Sequence, residues 1–181
     1  MQPCSTRNLM MPARRRATRG FTLIELLLVL ALMVIMATWA VPAFQSLVER
    51  NRLSTEVMRL MNALGQTRSA AITRRKEAVI CPTRDQSECE RNWKLPLMLF
   101  IDSDDTPEER ADDETLLKIW SASELASTIY NGFGNERYIR YRANGRPKGQ
   151  NGTFTLCTES RASQVVLSRL GRTRVNKINS C

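Results

Sequence analysis

The sequence predicts an α+β fold in which one long N-terminal helix precedes a domain of antiparallel β-sheets. Two observations lead to this prediction. Residues 21–44 are almost wholly apolar, and the residues after them keep apolar side chains at helical spacing. Beyond Arg75 the pattern changes to short apolar runs separated by turn residues, which is typical of strands joined by tight connections.

The apolar run contains a single charged residue, Glu25. As a helix, its 24 residues would extend roughly 36 Å, against a hydrocarbon core of about 30 Å, so it is long enough to cross a membrane. A lone carboxylate in such a helix is costly, by roughly 2.5–3.5 kcal/mol for a central Asp on insertion scales. Glu25 is therefore expected to need a partner.

The helix is predicted to continue to about residue 73, apolar on all sides in its first half and amphipathic in its second. Pro42 lies inside it and predicts a local bend or stretch, because proline cannot donate the helical hydrogen bond. The apolar face of the second half is formed by Leu53, Val57, Leu60, Met61, Leu64 and Ile72.

Seven strands are predicted after the helix, and their sheets are expected to pack on its amphipathic half. Asn144-Gly145 and Asn151-Gly152 supply turn chemistry between them. The predicted strands cover residues 78–81, 97–102, 115–121, 138–142, 153–158, 164–168 and 174–178.

The start of the apolar run, Arg19-Gly20-Phe21-Thr22-Leu23-Ile24-Glu25, resembles the processing site of type IV prepilins and type II secretion pseudopilins. In that class a prepilin peptidase cuts after the glycine and methylates the new N-terminal residue, here Phe21. The resemblance implies that Glu25 meets the N-terminal amine of a neighbouring subunit inside a filament. A conventional secretory signal has a shorter apolar region. A plain transmembrane anchor would explain neither Gly20 nor Glu25.

This resemblance implies a pilin-like division of the chain. Residues 1–20 are a cleaved leader, 21–44 a transmembrane and filament-core helix, 45–75 its amphipathic half, and 76–181 a β-rich head domain. The leader holds five arginines and no acid, so it is expected to stay in the cytoplasm. The head would then lie in the periplasm beyond a bacterial inner membrane, and later in a filament. The partners implied are the inner membrane, the prepilin peptidase and other pilin subunits.

Four cysteines follow the leader, an even number in a chain exported to an oxidising compartment. They allow three pairings, of which we favour Cys81–Cys89 and Cys157–Cys181, since both join sequence neighbours. Metal binding is the alternative, but the chain has no C-x-x-C pair and no histidine.

The absence of histidine also disfavours an enzyme, because it removes Ser-His-Asp and Cys-His arrangements. The acids of residues 102–114 suggest calcium, but an EF-hand loop requires glycine at its sixth position and glutamate at its twelfth. Pro107 and Asp113 stand there instead. We predict a charged loop, with no metal and no cofactor.

Residues 93–102, from Trp93 to Asp102, resemble the tryptophan-to-"FID" strand of the GspH/FimT group of minor pilins. In that group an acidic loop and a Leu-Leu strand follow, matched here by residues 104–114 and Leu116-Leu117. Trp93 is interpreted as a core anchor.

The charges of the head domain are segregated along the chain. Residues 81–136 hold five basic and thirteen acidic residues, whereas residues 137–181 hold ten basic and one acidic. A basic patch of this kind is the footprint expected for a polyanion such as nucleic acid.

Gly171-Arg172-Thr173-Arg174 resembles the Gly-Arg-x-Arg motif near the C-terminus of FimT-type minor pilins, which bind DNA during natural transformation. Arg172 and Arg174 are two apart, so in an extended chain they would point the same way and fork onto phosphate oxygens. No aromatic residue lies between Arg161 and Cys181, so we predict binding of double-stranded DNA through phosphates, with little sequence preference. The patch would be widened by Arg169, Lys177, Arg146 and Lys148.

The alternative is a purely structural role. The chain would then be a tip or priming minor pilin, or a GspH-like pseudopilin of type II secretion, and its acidic and basic halves would dock neighbouring subunits.

Overall fold

The computed structural model describes residues 20–178 and Cys181. The chain comprises two compact units divided after Pro42. A single helix, α1, spans Leu23–Arg74. Its ends lie within two residues of the predicted helix, which ran from residue 21 to about residue 73. Helical structure is unbroken at Pro42, and the bend or stretch there stays a prediction. The predicted leader, apart from Gly20, lies outside the described residues.

Thr22 caps the start of α1. Its hydroxyl accepts a hydrogen bond from the Glu25 N–H (3.3 Å), and its carbonyl accepts one from the Leu26 N–H (3.1 Å). Thr22 and Glu25 thus have the spacing of a capping box, in which a threonine and an acid three residues later satisfy the free donors of the first turn. The following apolar side chains are exposed on all sides of the helix. By length and composition, α1 is the described helix that could cross a membrane.

Eight strands follow in the part of the chain that the structure describes, all paired with antiparallel neighbours. The seven predicted strands are present with small shifts at their ends, and β4 was not predicted. The strands are β1 (Glu77–Pro82), β2 (Leu97–Asp102), β3 (Leu116–Trp120), β4 (Ser127–Gly132), β5 (Ile139–Tyr141), β6 (Gly152–Cys157), β7 (Ala162–Leu167) and β8 (Thr173–Ile178).

The strands form two sheets of four. The order is β3-β2-β1-β5 in the first sheet and β4-β6-β7-β8 in the second, so β8 is an edge strand. In the first sheet, alternate residues of β1 enter different clusters: Ala78 and Ile80 the main core, Val79 and Cys81 a smaller cluster with Cys89. This two-residue period is what a strand buried on both faces requires.

The main core packs the amphipathic half of α1 against both sheets, as predicted. Leu60 and Leu64 of α1 join Phe154 of the second sheet in one buried cluster. Trp93 lies in the same cluster, 1% exposed, with its ring edge-on to Phe154 at 4.9 Å. Its indole N–H donates to the Glu136 carbonyl at 2.9 Å, so the buried polar atom is satisfied. The prediction that Trp93 is a core anchor is confirmed.

The acidic loop after β2 uses its carboxylates to hold its own backbone. Glu114 accepts a hydrogen bond from the Ser103 N–H (2.5 Å), and Asp104 accepts others from within the loop. Asp102 is ion-paired with Arg140 at 2.8 Å. Burial raises the pKa of Asp102, and the positive charge of Arg140 opposes that rise. Oxygens of Asp102, Asp104 and Glu114 lie within 4.8 Å of one another.

Candidate nucleic-acid interface

Two glycine turns meet at one end of the head domain. Gly145 lies in the turn after β5 with φ +74°, and Gly171 lies in the β7–β8 turn with φ +75°. A Cβ on Gly171 would lie 2.4 Å from the Gly145 carbonyl oxygen, closer than any side chain can approach. Both turns therefore require glycine for their backbone conformation, and the contact itself requires it at position 171.

Both turns lie directly against helix α1. The Arg68 Nη1 donates to the Gly171 carbonyl at 3.1 Å. A Cβ on Gly145 would lie 2.7 Å from the Ile72 Cδ1, so the first turn rests directly on the helix. The Gly145 N–H closes its own turn by donating to the Arg142 carbonyl at 2.8 Å. Arg68 was not predicted as a site residue, because helical spacing identifies only the face on which it lies.

The paired turns bring four exposed arginines to one region: Arg142 and Arg146 from the first turn, Arg169 and Arg172 from the second. Neither turn contains an acid. Among the described residues, none of the four takes part in an ion pair. We call Arg142, Arg146, Arg169, Arg172 and Arg174 the arginine surface. Arg142 was missed by the sequence prediction.

The edge strand β8 places its two basic residues on different faces. Val165 is buried in the main core and pairs with Val175, so alternation puts Val175 and Lys177 on the core side and Arg174 on the outer face. The Ser168 N–H donates a hydrogen bond to the Arg172 carbonyl at 2.9 Å, which extends the β7–β8 pairing by one residue pair. Arg172 therefore shares the outer face with Arg174, as the two-residue spacing predicts, and Lys177 does not.

Lys148 lies in a different electrostatic environment from the arginine surface. Its ammonium is 3.1 Å from Asp105 and 3.4 Å from Glu77. Arg140, which is buried, also pairs with Glu77 and with Asp105 (2.5 Å). Hydrogen bonds from Lys148 and then Arg140 lower the pKa of Asp105. The charge of Lys148 is thus largely neutralised within the protein, and we do not include it in the arginine surface.

Both favoured disulfides are present, Cys81–Cys89 and Cys157–Cys181. The second joins the end of β6 to the last residue and spans 24 positions. It encloses β7, the Gly171 turn and β8 in one covalent loop. Because all four sulfurs are in disulfides, they do not form the alternative metal site.

Comparison with known families decides the classification. Residues 56–171 match the family described as type II transport protein GspH, and residues 15–41 match the prokaryotic N-terminal methylation motif. The chain belongs to the GspH family of type IV pilin-like proteins. Such proteins are structural rather than enzymatic, and they are anchored by the apolar N-terminal helix. The methylation motif covers the predicted processing site, Gly20-Phe21, and the start of α1.

Individual relatives agree with this classification. The chain is 35% identical over 75 residues to a type IV major fimbrial protein FimA of Dichelobacter nodosus, covering 41% of this chain and 42% of that protein. A second FimA of that organism is 33% identical over 81 residues, covering 45% and 46%. The chain thus spans less than half the length of these curated relatives.

A solved structure shows the same fold. The type IV minor pilin FimU of Pseudomonas aeruginosa superposes with a TM-score of 0.56 at 19% identity, covering 72% of this chain and 92% of that one. A second crystal form of FimU gives 0.55 at 17% identity, covering 68% and 92%.

Proposed function

We propose that this chain is a minor type IV pilin that binds double-stranded DNA through the arginine surface, for DNA uptake in natural transformation. The observation that carries the proposal is the contact between Gly145 and Gly171, which groups exposed arginines from separate turns. Guanidinium groups match phosphate oxygens in a two-pronged geometry, and no carboxylate in either turn competes for them.

The backbone under the arginine surface is fixed before any ligand binds. Arg68 donates a hydrogen bond to the Gly171 carbonyl, and the Cys157–Cys181 disulfide closes the loop that contains the Gly171 turn. A surface whose backbone is already ordered loses less conformational entropy on binding. Only the arginine side chains would then be ordered by DNA, and their contacts to phosphates carry no sequence information.

The same proposal includes the processing of the protein, its membrane topology and its assembly into the filament. The leader is cut between Gly20 and Phe21, the N-terminus faces the cytoplasm, and the head enters the periplasm. Glu25 then pairs with the N-terminal amine of a neighbouring subunit in the filament. The exposed, apolar first half of α1 supports this, since its side chains need a membrane or other helices around them.

The binding test uses the full chain in non-ionic detergent and a gel shift with blunt duplex DNA. Arg172→Ala with Arg174→Ala is expected to weaken binding about tenfold or more at moderate salt. The matched control is Arg91→Ala with Arg161→Ala, two exposed arginines away from both turns, which changes the net charge equally. If the two double variants lose the same affinity, net charge and not the arginine surface binds DNA, and the proposal fails.

A structural role is the second candidate, favoured by the match to the GspH family. In that case the arginine surface would dock an acidic part of a neighbouring subunit. Deleting the gene separates the two roles. Loss of transformation with normal pili supports DNA binding, whereas loss of filaments or of secretion supports the structural role.

A further inference from the structure

An exposed aromatic ring stands beside the arginine surface. Phe133, directly after β4, is 73% exposed. It lines an open groove of about 390 Å³ together with Arg142, from the first turn, and Arg169, from the second. The other lining residues are Pro147, Gly149 and Asn151. Three loops of the head domain therefore build one groove with two cations and one aromatic face.

The backbone of Phe133 is held in the second sheet. Its N–H donates to the Asn151 carbonyl at 2.9 Å, which extends the β4–β6 ladder past the Gly132–Gly152 pair. Tyr130 points into the main core, so alternation places Phe133 on the opposite, outer face. This is the face that carries Arg172 and Arg174.

Phe133 and Arg172 lie in one row across the end of the second sheet. Gly152 pairs with Leu167, which puts Asn151 beside Ser168, and a hydrogen bond joins Ser168 to Arg172. The row therefore runs from Phe133 to Arg172 in three inter-strand steps, ~14 Å at about 4.8 Å each. A chain of phosphates crossing the arginines would reach the aromatic ring within a few nucleotides.

We infer that the groove takes an unpaired base of a DNA strand, stacked on Phe133, while Arg142 and Arg169 hold the flanking phosphates. This rests on the proposed function and names a further class of substrate, single-stranded DNA or the frayed end of a duplex. An aromatic platform within a basic groove is the usual construction of sequence-tolerant single-strand sites, because every base has a π-face. A base inside an intact duplex is already stacked on its neighbours and cannot use it.

The experiment compares binding of the full chain, in non-ionic detergent, to four labelled probes. These are a single strand, the blunt duplex of the same sequence, that duplex with a single-stranded overhang, and an abasic strand that keeps the phosphates. The variants are Phe133→Ala, Phe133→Trp and the matched control Ile129→Ala. Ile129, in β4, is 53% exposed and lies on the same outer face of the second sheet as Phe133.

The expected result is that Phe133→Ala weakens binding of the single strand and of the overhang by about tenfold, within the range of stacking aromatics. Binding of the blunt duplex and of the abasic strand should change by less than about twofold, as phosphate contacts remain. Phe133→Trp should retain single-strand affinity, and Ile129→Ala should match the parent.

Two results would overturn the inference. One is unchanged single-strand affinity in Phe133→Ala. If that variant also fails to enter filaments, the Phe133 ring contacts a neighbouring subunit instead of DNA. The other is an equal loss for all four probes. In both cases the parent still binds duplex DNA, so the proposed function survives. If the parent binds none of the probes, the proposed function itself fails.

Discussion

The Gly145 carbonyl oxygen occupies the place where a side chain on Gly171 would stand, at 2.4 Å from an added Cβ. Gly171 also has φ +75°, which disfavours any other residue. Gly171→Ala should therefore destabilise the fold by about 1–3 kcal/mol, through strain and displacement of the two turns. The measurement is the free energy of unfolding in urea.

The matched control is Gly65→Ala. Gly65 lies within α1, and nothing is within 4 Å of its added Cβ. Alanine there should raise stability by about 0.5–1 kcal/mol, because it is the better helix former. Equal effects of the two substitutions would show that the turns do not need to touch.

Arg68 should matter for stability although it lies outside the arginine surface. Arg68→Ala removes the charged hydrogen bond to the Gly171 carbonyl, and we expect a loss of about 1.5–3 kcal/mol in the free energy of unfolding. Arg52→Ala, an exposed position on the same helix, should stay within about 0.5 kcal/mol of the parent. A loss no larger for Arg68→Ala than for Arg52→Ala would contradict a supporting role for Arg68.

The Cys157–Cys181 disulfide should stabilise the sheet that carries the arginines. Cys157→Ala with Cys181→Ala opens a loop spanning 24 positions, for which chain-entropy estimates give roughly 3 kcal/mol. We expect the urea midpoint to fall accordingly, with far-ultraviolet circular dichroism unchanged below the transition. A midpoint equal to that of the parent would show that β8 needs no covalent closure.

Asp85 should titrate well below an ordinary aspartate. Hydrogen bonds from the Ser87 hydroxyl and then from the Ser87 and Glu88 backbone lower its pKa from 3.8 to about 2. Because the folded pKa is depressed, the stability it contributes is present above about pH 3.8 and is lost as the pH falls towards 2.

The measurement for Asp85 is an NMR titration of its carboxyl carbon. Ser87→Ala should raise the midpoint, since it removes the first of those hydrogen bonds. Asp104, whose pKa is lowered by Thr106, should not respond to that substitution. A parental midpoint near 3.8 would contradict the hydrogen-bonded geometry of the 83–90 turn.

The sequence predicts a strand well where its pattern of apolar and polar residues matches the burial of those residues in the fold. The bounds of β2 agree to the residue, because an apolar run between Pro96 and the acidic loop is buried on both faces. The strand β4 was missed for the opposite reason. Its exposed face carries Ile129 and its buried face carries Thr128, so its alternation of polarity is reversed.

The arginine surface could be predicted only in part. Arg172 and Arg174 were found from a local motif, and their common face follows from strand geometry. Arg142 and Phe133 join them only through contacts between turns that are distant in sequence. Lys148 looked equivalent to its basic neighbours, but Glu77, from a strand 71 positions earlier, neutralises it. The order of strands in the sheet decides which charged residues form ion pairs, and a single sequence does not reveal that order.

The most direct test of DNA binding is the salt dependence of affinity for a blunt duplex. For the parent and for Arg172→Ala with Arg174→Ala, the logarithm of the association constant is plotted against the logarithm of salt concentration. Each lost phosphate contact should reduce the slope by about 0.9, so the double variant should have a slope shallower by about 2. Arg91→Ala with Arg161→Ala should keep the parental slope. A parental slope in the Arg172 and Arg174 double variant, or no measurable binding by the parent, would contradict DNA binding at the arginine surface.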